Sequence, residues 1–298
     1  MQTLLSILTI YIFILIGFLA KHSFKKNLDE KTLVLLSIYF LQPFLILWGF
    51  SSQKLSLEVV QAPFIFFLLV MLFLIISIFL SKLLFKDKKD SSIFIVSSIV
   101  GNTGNLGIPL GMLLFGERSI IYTTFINIVN IFIVYIIGVY FYSRGNFTIK
   151  ESLQNILKLP AIWFTGLAIV LNLSNFHYPL QLELPLKMGA YATMVVQLVI
   201  FGAYLRGVNP KGNDWKMFWS ISLYKFVMIP LLSIMILRVL NLDEFMYKII
   251  ILELIVPIAV MNVNLASLYE CRPQKVAFLT FATSVIFIFY LFLFLRIV

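Results

Sequence analysis

The sequence predicts an all-helical (all-α) membrane protein: ten transmembrane helices as two inverted five-helix repeats, with broken helices four and nine crossing. Three observations lead there. The chain is 61% hydrophobic and only 12% charged over 298 residues, with a mean hydropathy of +1.02, where soluble proteins carry roughly 25% charged residues. It divides into ten apolar runs suited to helical crossings. Its Lys and Arg residues alternate between loops in a way that tells which loops share a side. Thirty Phe among a heavy Ile and Leu load suit lipid-facing helices, and the two-residue alternation of a membrane barrel is absent.

The runs cover 3–20, 33–50, 62–85, 91–115, 119–142, 159–174, 184–205, 214–240, 246–268 and 275–297. The first begins close to Met1 with no basic segment and no small-residue cleavage site, so it reads as a span and not as a signal peptide. Residues 147–158 read as a short amphipathic helix at the membrane surface. That connector separates a first repeat, 1–146, from a second, 159–298.

Orientation follows from the positive residues. Loops after odd spans carry sixteen of the 23 Lys and Arg, among them Lys25, Lys86, Arg144, Lys211 and Arg272; loops after even spans carry five, Lys54, Arg118, Lys187, Arg238 and Lys248. The positive-inside rule places the odd loops in the cytoplasm and both termini outside. Five spans per half is an odd number, so the second half enters the membrane in the opposite sense. That is the plan of an inverted repeat, and it makes span nine the counterpart of span four.

Both of those spans are interrupted. Span four contains Gly101-Asn102-Thr103-Gly104-Asn105-Leu106-Gly107-Ile108-Pro109, and span nine contains Glu253 followed by Pro257, Asn262 and Asn264. Glycine and proline are poor material for a continuous helix. A broken helix survives in lipid only when buried in protein or facing a water-filled cavity. Either break alone reads as a packing kink or as a site; matched breaks in corresponding spans point to a midplane substrate site. Helices that restart after a break turn free N–H groups and a positive dipole end toward the gap, which favours a carboxylate.

Two charges lie inside the spans, Lys225 in span eight and Glu253 in span nine. Charge is costly there, so each needs a reason. The helical rise puts both near mid-depth, where a Lys225–Glu253 pair would either fix helix register or serve transport. Asn127 and Asn130, three apart on one face of span five, and Gln197 in span seven read most simply as helix packing. Pro43 and Pro230 read as kinks. The single Cys271 excludes an intramolecular disulfide. His22 and His177, the two histidines, fall in loops. No residue set calls for a metal or a cofactor.

The stretch Asn102-Thr103-Gly104-Asn105-Leu106-Gly107-Ile108-Pro109 resembles the Asn-Thr-Gly-x-x-Gly-x-Pro signature of the auxin efflux carrier family, which includes the plant PIN carriers and bacterial malate or malonate permeases. Leu41-Gln42-Pro43, Gly202-Ala203-Tyr204-Leu205, Lys225 before Pro230, and Glu253 before Pro257 extend the resemblance along the chain. It implies the fold of the bile acid:sodium symporters. Spans one, two, six and seven would form a scaffold, and the remaining spans a mobile transport domain. It also implies small organic anions as substrates and a cytoplasmic-membrane location.

The expected function is secondary transport of a malate- or malonate-like carboxylate by alternating access. The expected substrate site is Asn102, Thr103, Gly104, Asn105, Pro109, Pro257, Asn262 and Asn264, with Lys225 and Glu253 tuning charge or coupling. The lipid bilayer is the expected surrounding. Coupling to a proton or to sodium, and assembly as a homodimer, are compatible with the sequence. A sodium-coupled symporter of larger amphipathic anions and a non-transporting receptor are the alternatives. An enzyme would need convergent catalytic groups, and no His, Cys or paired carboxylate lies in the spans. The positive charge is scattered through short loops and makes no nucleic-acid face.

Overall fold

Lipid offers no hydrogen bonds, so an apolar run becomes helix wherever its glycines and prolines permit. The computed structural model describes residues 2–51, 54–143, 154, 157–207 and 214–297. Among them the protein is all helix, with no strand beyond one isolated two-residue bridge. In chain order the helices are α1 Gln2–Phe24, α2 Glu30–Ser51, α3 Leu57–Leu84, α4 Lys88–Ile99, α5 Ile108–Phe115 and α6 Ser119–Tyr142. There follow α7 Pro160–Leu173, α8 Leu180–Gly207, α9 Trp215–Val239, α10 Glu244–Ile255, α11 Met261–Leu268 and α12 Pro273–Ile297.

Six of the described segments, within α2, α3, α6, α8, α9 and α12, are long and apolar enough to cross a membrane. The fourth and ninth apolar runs are each divided, into α4 with α5 and α10 with α11. At 14 residues, α7 is about 21 Å long at the helical rise, short of the roughly 30 Å hydrocarbon layer. The expected surface helix at 147–158 lies outside the described residues except for Gln154, Leu157 and Lys158.

Prolines shape the long helices in a consistent way. Segments of π-helix occupy Ser37–Leu41, Thr103–Gly107 and Tyr224–Met228, and each ends two residues before a proline: Pro43, Pro109 or Pro230. Proline donates no backbone hydrogen bond, and its ring crowds the carbonyl one turn back. Widening that turn relieves the clash without ending the helix. A fourth π segment, Val134–Gly138, has no proline after it.

The chain forms two compact units. The first comprises Met1–Gln61, Gly104–Ile128 and Gln154–Gly207. Here α1 lies directly on α8. A Cβ added to Gly17 would stand 2.0 Å from the Val199 carbonyl oxygen, and one added to Gly202 would stand 1.8 Å from that of Ile14. Backbone therefore touches backbone at two points, the close packing that small residues permit in membranes. The Thr193 hydroxyl on α8 donates to the Leu41 carbonyl on α2 at 2.8 Å. An apolar core of Leu45, Trp48, Ile108, Ile120, Ala190 and Met194 joins α2, α5, α6 and α8.

The second unit comprises Ala62–Thr103, Val129–Leu153 and Val208–Val298. An ionic clasp ties three of its helix ends. Lys275 reaches Asp90 and Asp214, each at 2.7 Å, and Arg272 reaches Asp90 as well as Asp87 at 3.2 Å. Asp87 and Asp214 also cap α4 and α9 by accepting from Asp90 N–H and Met217 N–H. The Asp90 N–H, aided by the Arg272 guanidinium, holds the Asp87 carboxyl below the usual aspartate range.

Replacing Gly202 with valine forces the α1 and α8 backbones apart. The expected loss of stability is at or above the top of the roughly 1–3 kcal/mol that over-packing usually costs. It is measured by thermal unfolding of purified protein in detergent.

Candidate functional site at the crossing of two helix breaks

Within the second unit the break after α4 meets the break after α10. Helix α4 ends at Ile99 and α10 at Ile255, and the freed segments pair as antiparallel backbone. Asn102 N–H donates to the Pro257 carbonyl at 2.8 Å, and Ala259 N–H donates to the Val100 carbonyl at 3.2 Å. These bonds flank Gly101 and Ile258, which face each other as the closely spaced pair of an antiparallel ladder. Gly101 is required there, because a Cβ would fall 2.8 Å from Val256 Cγ2. Each break thus supplies part of the hydrogen bonding that the other has lost.

Two asparagines complete the pairing. Asn130 on α6 donates to the Gly101 carbonyl at 3.0 Å and to Thr103 Oγ1 at 2.9 Å. Asn262, at the start of α11, donates to the carbonyls of Val100 at 3.3 Å and Ala259 at 3.1 Å. Its own Oδ1 accepts from the Tyr142 hydroxyl at 3.1 Å. Asn262 is fully buried, and both hydrogens of its amide are committed to the backbone.

Other polar groups at the crossing are left over. Asn102 is 4% exposed, and its Nδ2 has no hydrogen-bond partner; nor does Asn130 Oδ1. Lys225 projects from the Tyr224–Met228 π segment, and its Nζ would lie 3.4 Å from a Cβ on Gly101. Glu253, on α10 just ahead of the break, is buried with neither carboxylate oxygen partnered. The Lys225–Glu253 pair suggested by depth is not formed among the described residues. Rise along a helix fixes how deep a side chain sits, not the direction in which it points.

A family profile described as "Membrane transport protein" matches residues 3–295 of the chain. The chain belongs to that family, the family of the auxin efflux carriers. Over 287 residues, and 93% of each chain, it is 26% identical to a protein of Methanocaldococcus jannaschii named as an uncharacterized transporter. Family membership and the long apolar helices make it a multi-pass membrane protein of transporter type.

In this membrane transport protein, Asn102, Thr103, Pro257 and Asn262 come together at the crossing. Asn264 lies half-buried on α11. Gly104, Asn105 and Pro109 belong to the first unit. There Gly104 packs against the Asn127 amide, which a Cβ on Gly104 would meet at 2.9 Å. Sequence alone points to helix packing for Asn130 and gives no reason to single out Tyr142. The one available signal was an amide in the middle of an apolar helix, three residues from another.

Asn130→Ala takes away the side-chain donor of the Gly101 carbonyl and Asn262→Ala the acceptor of the buried Tyr142 hydroxyl, and each is expected to cost about 1–3 kcal/mol of stability. Asn102→Ala removes an amide whose Nδ2 has no partner and is expected to leave the melting temperature near that of the unsubstituted protein. Parallel thermal melts of the three variants check the contrast.

Proposed function

We propose that the protein is a secondary carrier of small carboxylate-bearing anions, of malate or malonate type, and that the crossing is its substrate site. The observation that carries this reading is the unpartnered Asn102 amide at a backbone crossing that also holds the Lys225 ammonium. An amide donor and a nearby cation suit a carboxylate, which accepts hydrogen bonds and bears negative charge. The helical path resumes at Thr103, in the π segment that leads into α5, and at Met261 in α11, and these restarts add helix N-termini of the favourable sign. Asn264, half-buried on α11, assists. Asn130 and Asn262 hold the backbone, so their effect on substrate is indirect.

Transport proceeds by alternating access, with the unit that carries the crossing as the moving body. The ten apolar runs form two inverted repeats in a cytoplasmic membrane, with the Lys- and Arg-rich loops inside and both termini outside. Glu253 is the group for ion coupling, because a buried carboxyl with no partner is free to exchange a proton or to meet a cation.

Uptake of labelled malate and malonate into proteoliposomes tests this. Asn102→Ala should lower uptake at least about tenfold, the loss of roughly one hydrogen bond to a charged group. Glu253→Gln should abolish the response to an imposed proton or sodium gradient while substrate binding persists. Wild-type rates in both variants would refute the site. Sodium-dependent uptake restricted to larger amphipathic anions would favour the symporter reading, and binding without net flux would favour a receptor.

A further inference from the structure

The first unit contains a cavity of about 70 Å³ that the crossing does not explain. It lies where α2 and α7 end, lined by Ser51, Lys54, Asn172, Asn175, His177 and Tyr178 together with apolar side chains. Every lining residue belongs to the first unit. Its walls are fixed by hydrogen bonds. The Asn172 amide donates to the Phe50 carbonyl at the end of α2, and its oxygen accepts from Leu55 N–H at 2.8 Å. Asn175 then turns the chain at a left-handed φ of 53°, a conformation asparagine tolerates. Tyr178 packs on the apolar core formed by α2, α5, α6 and α8.

The chemistry of the lining is one-sided. Its ionisable groups are a lysine, a histidine and a tyrosine, and it includes no carboxylate. Ser51 and Asn175 add neutral hydrogen-bonding groups. About 10–15 Å³ by the same measure holds one water, so the cavity accepts roughly five water-sized groups. Ser51, Lys54, Asn175 and His177 are exposed, so the pocket opens to the surface and a small carboxylate can enter it.

We propose that this cavity is a second binding site for a small carboxylate anion, distinct from the crossing, in which Lys54 supplies the charge and His177, Asn175 and Tyr178 line the bound molecule. It stands independently of the transport reading, since no residue is shared between the two places. For a carrier of such anions it would serve as a capture point at the ends of α2 and α7.

The two histidines of the chain make a site-specific test practicable. In a His22→Gln background, His177 is the one histidine left, and its ring resonances are followed by NMR in phosphatidylcholine nanodiscs. Malonate at constant pH and ionic strength should shift them saturably, whereas dimethyl malonate, which lacks the charge, should not. Adding Lys54→Gln should weaken the apparent affinity about tenfold, the effect of one charge-assisted contact. Adding Asn102→Ala should leave the titration unchanged even where transport is lost. The proposal is overturned if malonate gives no saturable shift or if Lys54→Gln leaves the affinity intact. It is equally overturned if Asn102→Ala abolishes the shift, which would make the two sites one. A shift produced by phosphatidylglycerol nanodiscs alone, and not displaced by malonate, would replace the carboxylate with a lipid headgroup.

Discussion

A polypeptide that leaves the helical path inside lipid must find partners for the N–H and C=O groups it frees. The crossing meets that constraint by letting two breaks pair with each other: Asn102 N–H with Pro257, Ala259 N–H with Val100. Side-chain amides add to that pairing, Asn130 on Gly101 and Asn262 on Val100 and Ala259. Neither break is sustainable without the other, so their positions are locked together. What the pairing does not consume is the Asn102 amide, one oxygen of Asn130 and the Glu253 carboxylate, with the Lys225 ammonium close by. Each buried polar group left without a partner costs on the order of 1–3 kcal/mol. In the proposed reading these unpartnered groups are what the substrate would satisfy.

How much of this was readable in the sequence depended on what kind of fact it was. The breaks themselves were legible, since glycine, asparagine and proline in the middle of apolar runs have few other meanings. Direction was not. Lys225 and Glu253, expected near one depth, do not pair among the described residues, because side-chain azimuth depends on how neighbouring helices rotate and pack. The same gap hid the division of labour among the asparagines. Asn262, one of the expected substrate residues, also braces the backbone, and Asn130, read as packing, does the same from α6. Pro43 and Pro230 were readable as kinks, but nothing local announced that each would be absorbed by a π segment ahead of it.

The spatial units also cut across chain order. Counting apolar runs divides the chain at its connector, into 1–146 and 159–298. The compact units draw on both halves, with Gly17 and Gly202, far apart in sequence, bringing α1 and α8 into backbone contact. Close approach between helices needs small residues at matching heights, and a single sequence does not say which small residue meets which. The unit holding the crossing is tied at its helix ends by the clasp of Lys275 and Arg272 with Asp87, Asp90 and Asp214.

The most direct test of the crossing as the substrate site is hydrogen–deuterium exchange of the two broken segments, 100–103 and 256–262, with and without saturating malonate. The account predicts that both segments slow together on adding the anion, because each backbone is the other's partner and the ligand fills the polar groups between them. Slowing of one segment without the other, or of neither while malonate is being transported, would contradict it.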